Sequence, residues 1–240
     1  HFTDQLAPLP ALTAAAMATS TLRIGALVWD NDYKHPVVFA KEMSTLDVLS
    51  DGRLDLGIGA GWMITDYEQS GIPYESAGTR IDKMIEGIDI MKGCFAPGPF
   101  SYAGKHYTIT NYNGMPKPVQ GSCPPILIGG GGKRVLTYAA KVADIVGINA
   151  TMSAGAVGPE AISTMTAEAV DAKVDIVREA SGDRINDIEM NIRAFLVNVT
   201  DDAEGAISRL AKGMGVEESM VANTPFALMG PPSKLIEDLL

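Results

Sequence analysis

Leu46-Asp47-Val48-Leu49-Ser50-Asp51-Gly52-Arg53-Leu54-Asp55-Leu56-Gly57-Ile58-Gly59-Ala60-Gly61-Trp62 is the stretch on which the fold turns. It reads as the end of a helix, a tight Ser-Asp-Gly turn, a short strand and a glycine-rich exit. Leu54, Leu56 and Ile58 alternate with Arg53, Asp55, Gly57 and Gly59. Successive strand side chains point to opposite faces, so one face is aliphatic and suited to packing under helices. The other face begins charged and ends without side chains, and Gly61 carries it into the loop. A bare face near the C-terminal end of a strand either leaves room for a flat ring against the backbone or marks a β-bulge without a ligand. A dinucleotide fingerprint is excluded, because G-x-G-x-x-G needs glycine where Trp62 stands.

Upstream, residues 6–20 read as a helix and 21–29 as one strand. Leu22, Ile24, Ala26 and Val28 face one way on it; Arg23, Gly25, Leu27 and Trp29 face the other. A polar loop, residues 30–35, leads to Pro36, a good first helical residue. Phe39, Met43, Leu46 and Leu49 then recur at helical spacing. Downstream, helices are predicted over 64–71 and 77–95. Residues 96–124 break the rhythm with prolines and glycines and hold a small hairpin around Ala103-Gly104. A strand at 125–128 runs into four glycines, Gly129 to Gly132, followed by Lys133 and Arg134. A helix over 135–142, a strand over 144–148, a helix over 160–180, a strand over 188–199 and a helix over 201–212 follow. Residues 214–230 are ambiguous, and 231–240 begin another helix.

Strand–helix alternation with long crossovers implies a parallel sheet. Strands with one aliphatic and one polar-plus-glycine face suit a barrel, whereas a doubly wound sheet reads as more continuously apolar. Five strands fall short of eight, so the expectation is an incomplete (β/α)8 TIM barrel, one domain over 1–240 with an insertion at about 96–124. At 46% hydrophobic and 20% charged, the 240 residues suffice for a large core. A net charge of −10 argues against nucleic acid and against anionic membranes as partners. No run approaches the roughly 18 apolar residues of a membrane span. The Ala-rich residues 11–19 lack the basic lead of a signal peptide. Cys94 and Cys123 are too few for a disulfide framework and are not spaced for zinc, so no metal is expected. The expected setting is cytoplasmic.

Several motifs occur in order: Thr21-Leu22-Arg23-Ile24-Gly25, His35-Pro36, Ala40-Lys41, Leu46-Asp47-x-Leu49-Ser50-x-Gly52-Arg53, Gly57-x-Gly59-Ala60-Gly61-Trp62, Arg80, Pro118-x-Gln120 and Ile128-Gly129-Gly130. Through them the chain resembles the bacterial luciferase-like family of flavin- and deazaflavin-dependent oxidoreductases. It is most similar to actinobacterial members that use coenzyme F420. The resemblance implies a (β/α)8 barrel and hydride transfer at a tricyclic ring, for which the protein supplies binding, orientation and exclusion of water. In that family the second barrel strand ends in Asp-His; His1 matches that His, which puts the first strand and the last one outside this sequence.

The resemblance also assigns roles. His1 would protonate or orient the substrate or the carbonyl region of the cofactor ring, and so counts as both a catalytic and a cofactor-binding residue. A non-prolyl, often cis, peptide against the ring matches Leu27-Val28, whose plainer reading is strand core. Ala60, Gly61 and Trp62 would line the ring site. Trp62 replaces the catalytic Glu of sugar-phosphate dehydrogenases, which argues against that reaction. Gly130, Gly131, Gly132, Lys133 and Arg134 match the family's phosphate loop. Bare N–H groups at a helix start do bind anions, although four glycines also make a flexible loop. His35 reads as structural or exposed, and His106 as exposed. Asp30 and Asp66 are the carboxylates nearest the mouth, with solvated loop acids as the plainer reading. Glu189, Asn191 and Arg193 would form a polar interior layer. Tyr102, Tyr107 and Tyr112 cap the substrate or anchor the insertion.

The leading expectation is hydride transfer between coenzyme F420 and a small organic substrate. An FMN-dependent monooxygenase is the alternative, and a non-catalytic barrel subunit stands in another class. A Schiff-base aldolase is disfavoured, since no strand ends on an inward Lys. The family also implies a homodimer, with residues 36–49 as the contact.

Overall fold

The computed structural model of the chain describes residues 5–121 and 123–239. They form two compact units, one reaching to residue 129 and taking in 142–145, the other comprising 130–141 and continuing from 146. The first contains α1 (Pro8–Ala18), β1 (Ile24–Gly25), β2 (Trp29–Asp30), a 3-10 turn (Asn31–Tyr33), α2 (Pro36–Ser50) and β3 (Leu54–Gly59). These are followed by α3 (Ile64–Ser70), α4 (Ala77–Phe95), β4 (Phe100–Ala103), β5 (Thr108–Tyr112) and most of β6 (Ile126–Gly130). Both β1 and β2 pair in parallel with β3, and β3 pairs in parallel with β6 through Leu56↔Ile126 and Ile58↔Ile128. Parallel neighbours require a crossover, which α2 supplies between β2 and β3.

The aliphatic face of β3 is sealed: Leu54, Leu56 and Ile58 are all 0% exposed. Helix α2 packs on both β3 and α4 and buries Phe39, Met43 and Leu46. It starts at Pro36 behind His35, whose Nδ1 accepts the Val37 N–H at 3.3 Å, so His35 is a structural cap. It ends at Asp51 in the left-handed region, and Gly52 (φ 73°) donates its N–H to Asp47 O.

Two motifs prominent in the sequence are locks. Asp47 is fully buried, and its carboxylate accepts the N–H groups of Val119 (2.8 Å) and Gln120 (3.2 Å) and the Gln120 amide (2.7 Å). The same amide donates to Leu54 O at 2.8 Å, joining the end of the 96–124 segment to the start of β3. Arg53 donates to the carbonyls of Ala16, Thr19 and Leu22, capping the end of α1 with a cation. The predicted hairpin is β4–β5, antiparallel, closed by Gly104 N–H to Tyr107 O at 2.9 Å.

The second unit holds α5 (Lys133–Val142), β7 (Ile145–Ile148), α6 (Pro159–Ser163), α7 (Ala167–Ser181), a 3-10 turn (Gly182–Asp187), β8 (Glu189–Ile192) and β9 (Leu196–Val199). Then come α8 (Ala203–Met214), α9 (Glu218–Ala222), β10 (Ala227–Gly230) and α10 (Pro232–Leu239). Asp144 N–H donates to Ile126 O at the start of the β6–β7 ladder, and Asn149 N–H donates to Gly130 O at its end, both at 2.9 Å. Parallel strands alternating with helices make this the pattern of part of a (β/α)8 barrel.

Four expectations need correction. The strand over 21–29 is two short strands around a bulge, described below. The helix over 160–180 breaks at residues 164–166, where the Thr166 hydroxyl caps α7 by accepting the Ala169 N–H. The strand over 188–199 is two strands in different sheets, because β9 pairs with β10 instead of continuing β8. Met190 and Ile192 are exposed, and Glu189, Asn191 and Arg193 form no buried layer. The ambiguous 214–230 segment supplies α9 and β10, whose Val221 and Met229 form a small core with Ala206 and Ala211. Among the described residues, no helix is long and apolar enough to cross a membrane.

Replacing Asp47 by Ala strands two buried N–H groups and the Gln120 amide. Urea unfolding of the full-length variant should show a loss of about 3 kcal/mol.

Candidate active site

The strand register exposes an insertion. Gly25 pairs with Asp55 and Trp29 with Ile58, so three residues, Ala26, Leu27 and Val28, stand opposite two, Leu56 and Gly57. One extra residue makes a β-bulge. The Leu27–Val28 peptide within it is cis. The bulge also turns Trp29 onto the aliphatic face. The sequence reading set Trp29 opposite Ile24; instead it is buried, opposite Ile58, with its ring 5.5 Å from that of Phe39.

The bulge fills the space that the glycines of β3 leave. A Cβ on Gly57 would lie 2.0 Å from Ala26 O, and one on Gly59 would lie 2.7 Å from Val28 Cγ2. The bare face is therefore covered by the chain itself, and no ring can rest directly on Gly57 or Gly59. What faces outward is the bulge: Leu27 is 39% exposed and Val28 half-buried.

Beyond β3, the backbone of Ala60, Gly61 and Trp62 is held from α4 and its approach. Arg80, buried, donates from Nε to Ala60 O (3.2 Å) and from Nη2 to Gly61 O (3.5 Å). The Tyr74 hydroxyl donates to Trp62 O at 3.0 Å, and the Arg80 guanidinium lies 4.1 Å from the Tyr74 ring centroid. Gly61 has φ +69°, and a Cβ there would meet Tyr67 Oη at 1.9 Å and Asp30 Oδ2 at 2.4 Å. Three consecutive carbonyls and a required glycine fix this loop in one conformation.

Beneath it lies an acid–phenol cluster. The Tyr67 hydroxyl donates to Asp30 Oδ2 (2.8 Å) and Asp32 Oδ2 (3.2 Å), and Asp32 N–H donates to Asp30 Oδ1 (2.9 Å). Burial pushes the Asp30 carboxyl up to about 6, against the two hydrogen bonds that favour its charged form. Burial also raises Asp32, Tyr67 and Tyr33. Asp30 is therefore no solvated loop acid, and Asp66, 7% exposed, is not one either. The sequence reading missed Tyr67, Tyr74 and Asp32; Arg80, quoted there only as a motif residue, was the one available signal.

In the second unit, Gly130 and Gly131 are required by packing. Their Cβ atoms would lie 2.5 Å from Val135 Cγ1 and 2.1 Å from Ala150 O, respectively, whereas Gly132 has nothing within 4 Å. Helix α5 starts at Lys133, two residues before its expected start, which puts exposed Lys133 and Arg134 in its first turn. Its first intrahelical bond is Leu136 N–H to Gly132 O, so the N–H groups of the opening turn point out of the helix. Such an end, with cationic side chains and an open glycine, suits an anion. His1 lies outside the described residues.

The family model for luciferase-like monooxygenases matches residues 1–227. An FMNH2-dependent dimethylsulfone monooxygenase of Pseudomonas putida is 25% identical over 199 residues, 83% of this chain and 50% of that one. An uncharacterized protein of Mycobacterium tuberculosis is 35% identical over 131 residues, 54% of this chain and 44% of that one. The chain thus spans about half the length of the curated relatives it matches. Among solved structures, the coenzyme F420-dependent tetrahydromethanopterin reductase from Methanopyrus kandleri superposes with a TM-score of 0.75 at 20% identity. That match covers 98% of this chain and 78% of the reductase.

The raised Asp30 pKa has a consequence for stability. A carboxyl that titrates near 6 when folded and near 3.8 when unfolded binds its proton more tightly in the folded state. Stability then falls as pH rises between those values, and the deficit persists above them. Asp30→Asn should stabilise the protein by about 1 kcal/mol at pH 7.5, allowing for solvent screening, and far less at pH 4, read from denaturant midpoints.

Proposed function

The chain belongs to the luciferase-like monooxygenase family, and from that premise we propose that the protein transfers a hydride between coenzyme F420 and a small organic substrate. The observation that carries this reading is the Ala26–Val28 bulge set by the strand register. It closes over the glycines of β3 and presents a partly exposed apolar ledge beside a loop of fixed conformation. A flat ring needs such a support: rigid, apolar and free of protruding polar groups.

When bound, the cofactor supplies the hydride chemistry. Leu27 and Val28 would support the ring. Ala60, Gly61 and Trp62 would bound it, held by Arg80 and Tyr74 so that the wall does not yield when substrate enters. The Trp62 ring adds an apolar wall that excludes water. In this reading Gly130, Gly131 and Gly132 offer backbone N–H groups, and Lys133 and Arg134 add charge, for the anionic arm of the cofactor. His1 is proposed to protonate or orient the substrate or the carbonyl region of the cofactor ring. Val38, Val48 and Leu49 are exposed on α2 and support a homodimer contact there. The 35% identity to a mycobacterial protein agrees with the actinobacterial affinity of the motifs.

A second reading, an FMN-dependent monooxygenase, is favoured by the match to dimethylsulfone monooxygenases over 83% of the chain. The two differ in their use of oxygen. Titration of the full-length protein with F420 and FMN, followed by absorbance, and oxygen-electrode traces with each reduced cofactor separate them. Substrate-dependent oxidation of reduced F420 without oxygen uptake is expected. Oxygen uptake coupled to substrate with reduced FMN would replace this reading with the second. Binding without turnover on a broad substrate panel would point to a non-catalytic subunit.

The open Gly132 gives a clean probe, because replacing Gly57, Gly59 or Gly131 would also disturb the chain's own packing. Gly132→Asp should fold normally yet weaken binding of a phosphate-bearing cofactor by about tenfold or more, measured by fluorescence titration.

A further inference from the structure

Lys173 projects from α7 into the interior of the second unit and is 6% exposed. Its ammonium donates to Asn149 O at 2.8 Å and Thr164 O at 2.6 Å. Among the described residues it has no carboxylate partner. Burial alone lowers it, to about 8. A buried cation with only carbonyl acceptors is costly unless another negative charge comes near it.

Lys173 sits behind Gly131. Asn149 O lies 2.5 Å from the point a Gly131 Cβ would occupy, and Ala150 O 2.1 Å from it. One carbonyl oxygen therefore stands between the ammonium and Gly131. The remaining links close a ring. Thr164 Oγ1 accepts the Thr151 N–H at 2.9 Å, and Thr151 Oγ1 donates to Gly131 O at 2.9 Å. Gly131, Thr151, Thr164, Lys173 and Asn149 are thus tied into one hydrogen-bonded circuit behind the glycine loop.

We infer that Lys173 is a positioning residue for the Gly130–Gly132 loop, fixing the Asn149 and Thr164 carbonyls behind Gly131 and supplying the positive charge that favours an oxyanion on the loop's open side. The inference rests on the reading of that loop as the site of the cofactor's anionic arm. Carbonyl oxygens alone would repel an anion; a cation bonded to one of them offsets that repulsion and is itself relieved when the anion binds. Exposed Lys133 and Arg134 add charge from solvent, where it is screened, whereas Lys173 acts through protein, where it is not.

The test compares wild type, Lys173→Gln and Lys173→Arg as full-length proteins. Gln keeps hydrogen-bond donors without charge, and Arg keeps the charge. Two probes are used: inorganic phosphate, read as a saturable rise in Tm, and the ratio of FMN to riboflavin affinity, since riboflavin lacks the phosphate. In wild type, phosphate raises Tm and FMN binds more tightly than riboflavin. Lys173→Gln should cut the phosphate response and the affinity ratio by about tenfold with riboflavin affinity unchanged, and Lys173→Arg should restore both. Equal losses of FMN and riboflavin affinity would overturn the inference, as would a Gln variant that responds as wild type does. If wild type itself shows neither phosphate response nor discrimination, the loop is no anion site, and the reading beneath falls with the inference. Should the Gln variant not fold, the Nζ signal of Lys173 in the wild-type NMR spectrum must move on phosphate addition; an unmoved signal overturns the inference.

Discussion

One surplus residue governs the first unit. Three residues of the β1–β2 segment must pass two of β3, and the excess rises as the Ala26–Val28 bulge. That geometry is admissible only because β3 carries glycine at 57 and 59, where Ala26 O and the Val28 side chain occupy the volume of absent Cβ atoms. The bulge in turn reverses the facing of the chain, delivers Trp29 to the core and brings Asp30 to the strand end. The core packing, the apolar ledge and the buried acid are three consequences of one register mismatch.

The loop after β3 shows the same economy. Its carbonyls at Ala60, Gly61 and Trp62 are taken up by Arg80 and Tyr74, and Gly61 is closed in by Tyr67 and Asp30. Such interlocking makes a wall rigid, and a rigid wall is what orientation of a planar group requires. In the second unit Lys173 plays the corresponding part, with a single buried ammonium serving two carbonyls behind a glycine that tolerates no side chain. In both units the glycines that look like room for a ligand are largely consumed by the chain's own backbone. Gly132 is the position left open in the glycine loop.

Family membership places this arrangement among enzymes that differ in cofactor and in their use of oxygen. The two locks formed by Asp47 with Gln120 and by Arg53 with the end of α1 account for several residues of the motifs shared with the family. These residues secure the scaffold, so they speak to the fold and leave the reaction to the residues at the strand ends.

The local pattern of the sequence determined a good deal. Alternation in residues 54–58 predicted a strand with a sealed aliphatic face, helical spacing in 36–49 predicted α2, and Pro36 and Gly52 marked its ends. These features depend on neighbours along the chain, which is why they were legible there. The ordered motifs added the family, and through it the correspondence of Leu27–Val28. Only the tertiary structure decided the rest. Whether a strand bulges depends on its register against β3, which lies about thirty residues away. Whether Asp30 is solvated depends on Tyr67 closing over it. Residues 188–199 alternate as one strand should, yet they divide because β9 pairs with β10. Lys173 reads as an ordinary helix lysine until burial removes its water and leaves it two carbonyls on other turns of the chain. Register and desolvation are set by partners distant in sequence, and a one-dimensional pattern carries no record of them.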